Sequence, residues 1–149
     1  MTRPATLLRL DAHRVTLSGG DGAEAVIGVG VQDILERCFR HHPPTAVEVE
    51  RAIDLVEDAL SASGLVHGAR GELAIVGPLP LAALGLTDDG MRLSRDAVEA
   101  RFERLAAAAL GQPGAAAGMA LDAPAAAALL ILRECLHHLG YEGVRRTDA

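Results

Sequence analysis

The sequence predicts an α+β fold in which a small antiparallel sheet packs against about four helices. Short apolar runs with partial alternation occupy the N-terminal part of the chain, and helical periodicity dominates the segments that follow. Strand and helix patterns come in blocks, which favours segregated elements over a doubly wound sheet. At 149 residues the chain has the length of one domain, and we expect a single globular domain over 1–149.

The predicted sheet is built mainly from the first third of the sequence. Apolar runs begin at Thr6 and Arg14, and an extended pattern resumes at Glu24 after the turn cluster Ser18–Gly22. This spacing predicts a hairpin or a three-stranded meander. A further strand is predicted over 72–76, where ELAIV stands between glycine and proline residues.

The clearest helix is predicted over 45–63. Two prolines precede it, and Thr45 and Glu48 have the spacing of a capping box, in which each side chain meets the other residue's backbone amide. An apolar stripe repeats at helical spacing along its length, and Gly64 follows as a natural stop. The stripe consists of Val49, Ile53, Val56 and Leu60.

Three more helices are predicted over 31–41, 94–110 and 123–139. Ser94 is a suitable N-cap for the second of these, and Gly140 a suitable stop for the last. The helix over 123–139 is apolar nearly all round, and such a helix belongs in the centre of a bundle or in a subunit interface. This observation predicts a homo-oligomer.

Composition and charge exclude several classes of partner. The net charge of −6 and the 2% of aromatic residues argue against binding to nucleic acid or to an anionic membrane surface. The uninterrupted apolar run over 123–132 is too short to span a bilayer, so no membrane association is expected. Two cysteines do not make a disulfide framework, and no signal-peptide pattern is present, so a cytoplasmic location is expected.

The most specific candidate site is a pair of cysteine and histidine segments. Cys38 and His41 are three residues apart, as are Cys135 and His138, so each pair could present a thiolate and an imidazole from one helix face. Together with His42 they form a candidate zinc-ligand set: Cys38, His41, His42, Cys135 and His138. The alternative is that both cysteines are small core residues and the histidines complement helix C-termini.

A second candidate is the turn over 28–33, which reads GVGVQD. A glycine-rich turn between a strand and a helix is the local setting of phosphate and dinucleotide binding. Asp33 nevertheless places a negative charge where a phosphate would sit, and turn geometry alone explains the glycines. The acidic stripe Glu50, Asp54, Glu57 and Asp58 could hold Mg²⁺ or act in acid–base chemistry, but a solvated helix face is the much better explanation.

No nucleophile motif is present, so no catalytic residue is assigned. The leading functional prediction is therefore a small non-enzymatic accessory or protein-interaction domain that acts as a homo-oligomer. One alternative is a zinc-binding or metal-handling protein or enzyme that uses the Cys/His pairs. Another is a nucleotide- or phosphate-ligand-binding domain that uses the 28–33 turn.

Overall fold

The computed structural model describes residues 6–20, 22–68, 70–76, 81–115 and 122–148. This part of the chain is an α+β fold with four helices, as the sequence predicts, and with six strands. A short 3-10 helix, Leu81–Leu84, lies between the strands Glu72–Val76 and Arg92–Ser94. The elements in chain order are β1 (Thr6–Leu10), β2 (Val15–Ser18), β3 (Glu24–Ile27), α1 (Val31–Arg37), α2 (Ala46–Ala62), β4 (Glu72–Val76), β5 (Arg92–Ser94), α3 (Arg95–Ala109), α4 (Ala123–Leu139) and β6 (Gly143–Arg146).

The sheet is larger than predicted, and it is mixed. Its strand order is β3-β2-β1-β4-β6-β5, in which the first three strands form the predicted antiparallel meander. β1 and β6 both run parallel to β4, so that Leu8 lies beside Ile75 and Ile75 beside Arg146. The expectation of a small antiparallel sheet is therefore corrected. β5 has three residues and β6 has one buried aliphatic side chain, so neither carries an alternating apolar pattern.

Alternation within the strands gives the sheet one buried face. Leu8 and Leu10 of β1 are buried, whereas Arg9 between them is exposed. Across the sheet, side chains on the same face join a single core with the helices. The strand residues of this core are Leu8, Leu10, Val15, Leu17, Ile27, Leu73, Ile75, Leu93 and Val144.

Helix α4 is the centre of the helical layer. It packs against α1, α2 and α3, and the side chains from Leu129 to Leu132 are completely buried. Its bounds match the prediction because Asp122 caps its first turn through the Ala125 amide (2.9 Å) and Gly140 ends it in the left-handed conformation. The chain itself thus covers the apolar surface from which a homo-oligomer was expected.

The N-cap residues Thr45 and Ser94 define the starts of α2 and α3. Glu48 donates its amide to the Thr45 hydroxyl (3.3 Å) and accepts from the Thr45 amide (3.1 Å), which confirms the capping box of α2. At the start of α3 the Ser94 hydroxyl accepts from the Ala97 amide (3.1 Å), which is a simple N-cap. α1 ends at Arg37 and not at 41, because the backbone leaves the helical conformation at Cys38. No helix in the described ranges is long and apolar enough to cross a membrane.

Candidate functional site

The sheet topology brings the carboxyl ends of β1, β4 and β6 to one edge, because these three strands are parallel. In open sheets of this kind ligands bind beyond the carboxyl ends of the strands. Among the described residues, β1 is followed here by the turn Asp11–Arg14 and β6 by Thr147 and Asp148. We call this border of the sheet the carboxyl edge.

The Asp11–Arg14 turn is held against the start of α1. The Asp11 amide donates to the Arg14 carbonyl (2.9 Å), and the Gln32 amide donates to the Ala12 carbonyl (2.8 Å). Gly30 packs so closely that an added Cβ would lie under 3.0 Å from the backbone of Asp11 and Ala12. The close approach, and not a ligand, therefore accounts for the glycine at position 30.

His13 projects from this turn and pairs with Asp33 of α1. Its Nδ1 atom lies 3.0 Å from Asp33 Oδ1, and its side chain is 64% exposed. The other Asp33 oxygen accepts from the Gly30 amide at 2.8 Å, which fixes the carboxylate. The hydrogen bond to Asp33 raises the pKa of His13. The result is an oriented, solvent-facing imidazole whose protonated form is favoured, a combination that is common at functional sites.

The β6 side of the carboxyl edge is tied down by an arginine. Arg146 donates to the carbonyls of Leu86 and Thr87, each at 2.8 Å, and to the Asp148 carboxylate at 2.9 Å. The Asp148 amide donates in turn to Asp89. These bonds order the loop before β5 along the same border.

A second charged group lies between α2 and α4. Glu134 and His138 are four residues apart on α4, and Glu57 of α2 faces them. His138 Nε2 lies 2.9 Å from Glu134 Oε2 and 3.3 Å from Glu57 Oε1. Within the described part of the chain, this is the one group of three histidine, cysteine or acidic residues whose ligand atoms lie within 4.8 Å of one another. We call it the Glu57–Glu134–His138 cluster.

Arg133 links this cluster to α3. It forms a two-pronged pair with Glu99 at 2.8 and 3.2 Å, and a third hydrogen bond to Glu134 Oε1 at 2.7 Å. The guanidinium stacks over the Phe102 ring, 4.5 Å from its centroid. The hydrogen bond with Glu99 raises the pKa of Arg133, and the same bond lowers the pKa of Glu99.

A cavity of about 200 Å³ opens beside Arg133. Its lining contains two positive side chains, Arg95 and Arg133, and two negative ones, Asp96 and Glu99. His137 also lines the cavity. The formal charges of the four arginine and acid side chains therefore cancel.

The structure distributes the five predicted metal ligands over different environments. Cys38 and Cys135 are buried and unpaired, and burial raises the pKa of both thiols, that of Cys135 to about 12. His41 and His42 are exposed in the segment after α1. Of the five, only His138 belongs to the three-ligand group found among the described residues. Zinc binding by the other four stays a prediction.

His41 has a different partner. Its Nδ1 atom lies 2.7 Å from Glu48 Oε2, and its amide donates to Glu48 Oε1. Burial alone would raise the pKa of Glu48, but the hydrogen bonds from the His41 ring and from the amides of Thr45, Arg40 and His41 together lower it. His41 thus extends the cap of α2.

Sequence reasoning missed both arrangements. The Glu-x-x-x-His spacing on α4 is visible in the sequence. Glu57, however, is 81 positions away from His138, and its place in an acidic stripe is typical of a solvated helix face. His13 lies in an undistinguished strand-to-strand turn, and only the fold places Asp33 beside it. In the 28–33 turn, the candidate for phosphate binding, the Gly30 amide donates to the Asp33 carboxylate.

The described residues thus form an α+β domain with a mixed sheet and a His13–Asp33 pair at its carboxyl edge. No family model and no curated protein matches the sequence. Among solved structures, the Aquifex aeolicus PPX-GPPA enzyme matches with a TM-score of 0.73 and 15% identity, over 97% of this chain and 53% of that chain.

Two further solved structures give the same result. A crystal structure of the Aquifex aeolicus member of the Ppx/GppA protein family matches with a TM-score of 0.72 and 17% identity, over 99% of this chain and 53% of that one. An exopolyphosphatase-like protein matches with a TM-score of 0.64 and 18% identity, over 97% of this chain and 56% of that one. The likeness shows a shared fold, and the chain spans about half the length of the structures it matches.

These comparisons correct the leading functional prediction. The fold was expected to belong to a non-enzymatic accessory or protein-interaction domain, but the structures that share it are a phosphatase family and an exopolyphosphatase-like protein. The sequence carries no nucleophile motif, but the absence of such a motif does not indicate a non-enzymatic role.

Proposed function

We propose that this chain is one part of a phosphate-hydrolysing enzyme that acts on chains of phosphate such as inorganic polyphosphate. The observation that carries the proposal is the fold match to Ppx/GppA structures over 97–99% of the chain. Because the chain spans about half of those structures, the proposal includes a second folded unit that completes the site. The carboxyl edge is the surface on which substrate and second unit would meet.

The His13–Asp33 pair supports this assignment chemically. The hydrogen bond between His13 and Asp33 favours the imidazolium form of His13. The positive charge of this form complements the negative charge of a phosphate chain. A protonated imidazole can also donate a proton to the leaving oxygen when a phosphoanhydride bond breaks. Asp33 holds the ring in one orientation, and its own position is fixed by the Gly30 amide.

The test compares polyphosphate binding by the purified full chain with that of two histidine variants. We expect saturable binding of polyphosphate by calorimetry, weakened by His13→Ala and unchanged by His67→Ala. His67 is the matched control because it is also exposed but precedes β4 and so lies at the opposite end of the sheet. Absence of saturable polyphosphate binding by the wild-type chain would overturn the proposal, as would equal losses of binding in both variants.

Location and partners remain part of the proposal. Two buried, unpaired cysteines are compatible with a reducing cytoplasmic setting. The homo-oligomer, the absence of nucleic-acid partners and the extent of the single domain stay predictions. Light scattering on the purified chain checks the first of these.

A further inference from the structure

The Glu57–Glu134–His138 cluster contains a buried oxygen without a hydrogen-bond donor. The Glu134 side chain is 0% exposed, and its Oε1 atom is satisfied by Arg133. Its Oε2 atom has no hydrogen-bond partner within the described part of the chain, although His138 Nε2 lies only 2.9 Å away. The orientation of the ring explains this difference, because the Nε2 direction suits a hydrogen bond to Glu57 Oε1 instead.

The single hydrogen that His138 Nε2 can carry cannot satisfy both the Glu57 and the Glu134 carboxylate. A ring nitrogen carries at most one hydrogen, so it can serve either Glu57 or Glu134 but not both. The other carboxylate oxygen is then left without a donor, and on the Glu134 side it is buried away from water. A buried carboxylate oxygen in that position is destabilising unless a positive group meets it.

The charges around the cluster also do not balance. Glu57, Glu99 and Glu134 contribute three negative charges, and Arg133 contributes one positive charge that is shared between Glu99 and Glu134. With a neutral imidazole the group carries a net charge of −2. A divalent cation would neutralise it.

We propose that Glu57, Glu134 and His138 bind one divalent transition-metal ion, with Zn²⁺ as the best fit. One imidazole nitrogen and two carboxylate oxygens are a donor set that zinc accepts, and metal–ligand bonds near 2.1 Å place neighbouring ligand atoms about 3.0–3.4 Å apart. The observed separations from His138 Nε2 are 2.9 and 3.3 Å. The ion would lie between the three atoms, with Glu134 Oε2 as its buried ligand.

The surroundings of the cluster suit such a site. Arg133 holds the second Glu134 oxygen and is itself fixed by Glu99, the kind of support that orients metal ligands. The side chains of Glu57 and His138 are 43% and 38% exposed, so an ion can enter from solvent and keep a water ligand. His138 is near the end of α4 that leads to the start of β6, away from the carboxyl edge, and the proposal does not rest on phosphatase activity.

The test is zinc binding by the full chain, measured by calorimetry and by elemental analysis after dialysis. We expect about one zinc ion per chain and a higher Tm in its presence. Glu57→Gln and His138→Gln should each weaken binding about tenfold or more. Both residues are partly exposed, so these substitutions leave the fold intact, which circular dichroism verifies.

Two control variants make the result specific. Glu50→Gln removes an exposed carboxylate from the same helix as Glu57 and should leave zinc affinity unchanged. Cys38→Ser should also leave it unchanged, because Cys38 is not in the cluster. Absence of saturable zinc binding, binding insensitive to Glu57→Gln and His138→Gln, or loss of binding in Cys38→Ser would each overturn the proposal.

Discussion

Replacing Gly30 with alanine tests the contact that joins the β1–β2 turn to α1. The added Cβ would lie under 3.0 Å from backbone atoms of Asp11 and Ala12, whereas ordinary van der Waals contact begins at 3.4 Å. Both neighbours are main-chain atoms, so the turn or the helix must shift to accept the added carbon. Overpacking of this kind costs about 1–3 kcal/mol, and we expect Gly30→Ala to fall in the upper half of that range.

The assay is urea unfolding followed by circular dichroism, with Gly28→Ala as the control. Position 28 belongs to the same glycine-rich turn, but a Cβ there would meet nothing within 4 Å. We expect Gly28→Ala to change the free energy of unfolding by less than about 0.5 kcal/mol. Equal effects at the two positions would refute the argument, because they would show that chain flexibility and not the close approach to Asp11 and Ala12 determines the cost.

Three other predictions concern the core and the cap of α2. Leu130→Ala, at a completely buried site in α4, should lower the free energy of unfolding by about 2–5 kcal/mol in the same assay. Cys38 and Cys135 should resist a thiol reagent at pH 8 in the native protein and react fully in denaturant, because burial raises both pKa values and keeps the thiols protonated. The lowered pKa of Glu48 stabilises the fold above the ordinary glutamate pKa of about 4.3, and this contribution is lost as pH falls through the lower folded value. The stability advantage of wild type over Glu48→Gln should therefore shrink as the pH is lowered below about 5.

Each of these predictions has an outcome that contradicts it. Val66→Ala removes methyl groups from an exposed side chain and should leave stability nearly unchanged, so a loss equal to that of Leu130→Ala would show a non-specific effect. Rapid labelling of either cysteine in the native state would mean that its burial is transient. A constant difference between wild type and Glu48→Gln from pH 6 to pH 3 would show that the carboxylate charge does not stabilise the cap.

The sequence predicts elements whose signals are local. Thr45 and Glu48 are three residues apart, so their capping box defines the start of α2 without knowledge of the rest of the fold. Asp122 and Gly140 likewise set both ends of α4, and the meander depends only on short turns. In each case the residues that specify the structure are neighbours in the chain.

The missed features depend on contacts between distant parts of the chain. β6 becomes a strand because β4 and β5 offer it hydrogen bonds on both sides, although its sequence GVRR carries little strand signal. Glu57 joins His138 because α2 packs on α4, and no spacing rule relates the two positions. His13 pairs with Asp33 because the β1–β2 turn packs against the start of α1. Site residues were therefore harder to predict than helices.

The position of β4 has a consequence for how the protein is made. Its two parallel partners are β1, synthesised early, and β6, synthesised after the helix that covers the sheet. A growing chain on the ribosome would therefore hold β4 with one open edge until Gly143–Arg146 has emerged. An open strand edge invites pairing with other nascent chains. We expect folding to be late and cooperative, with chaperone protection of the incomplete sheet during synthesis.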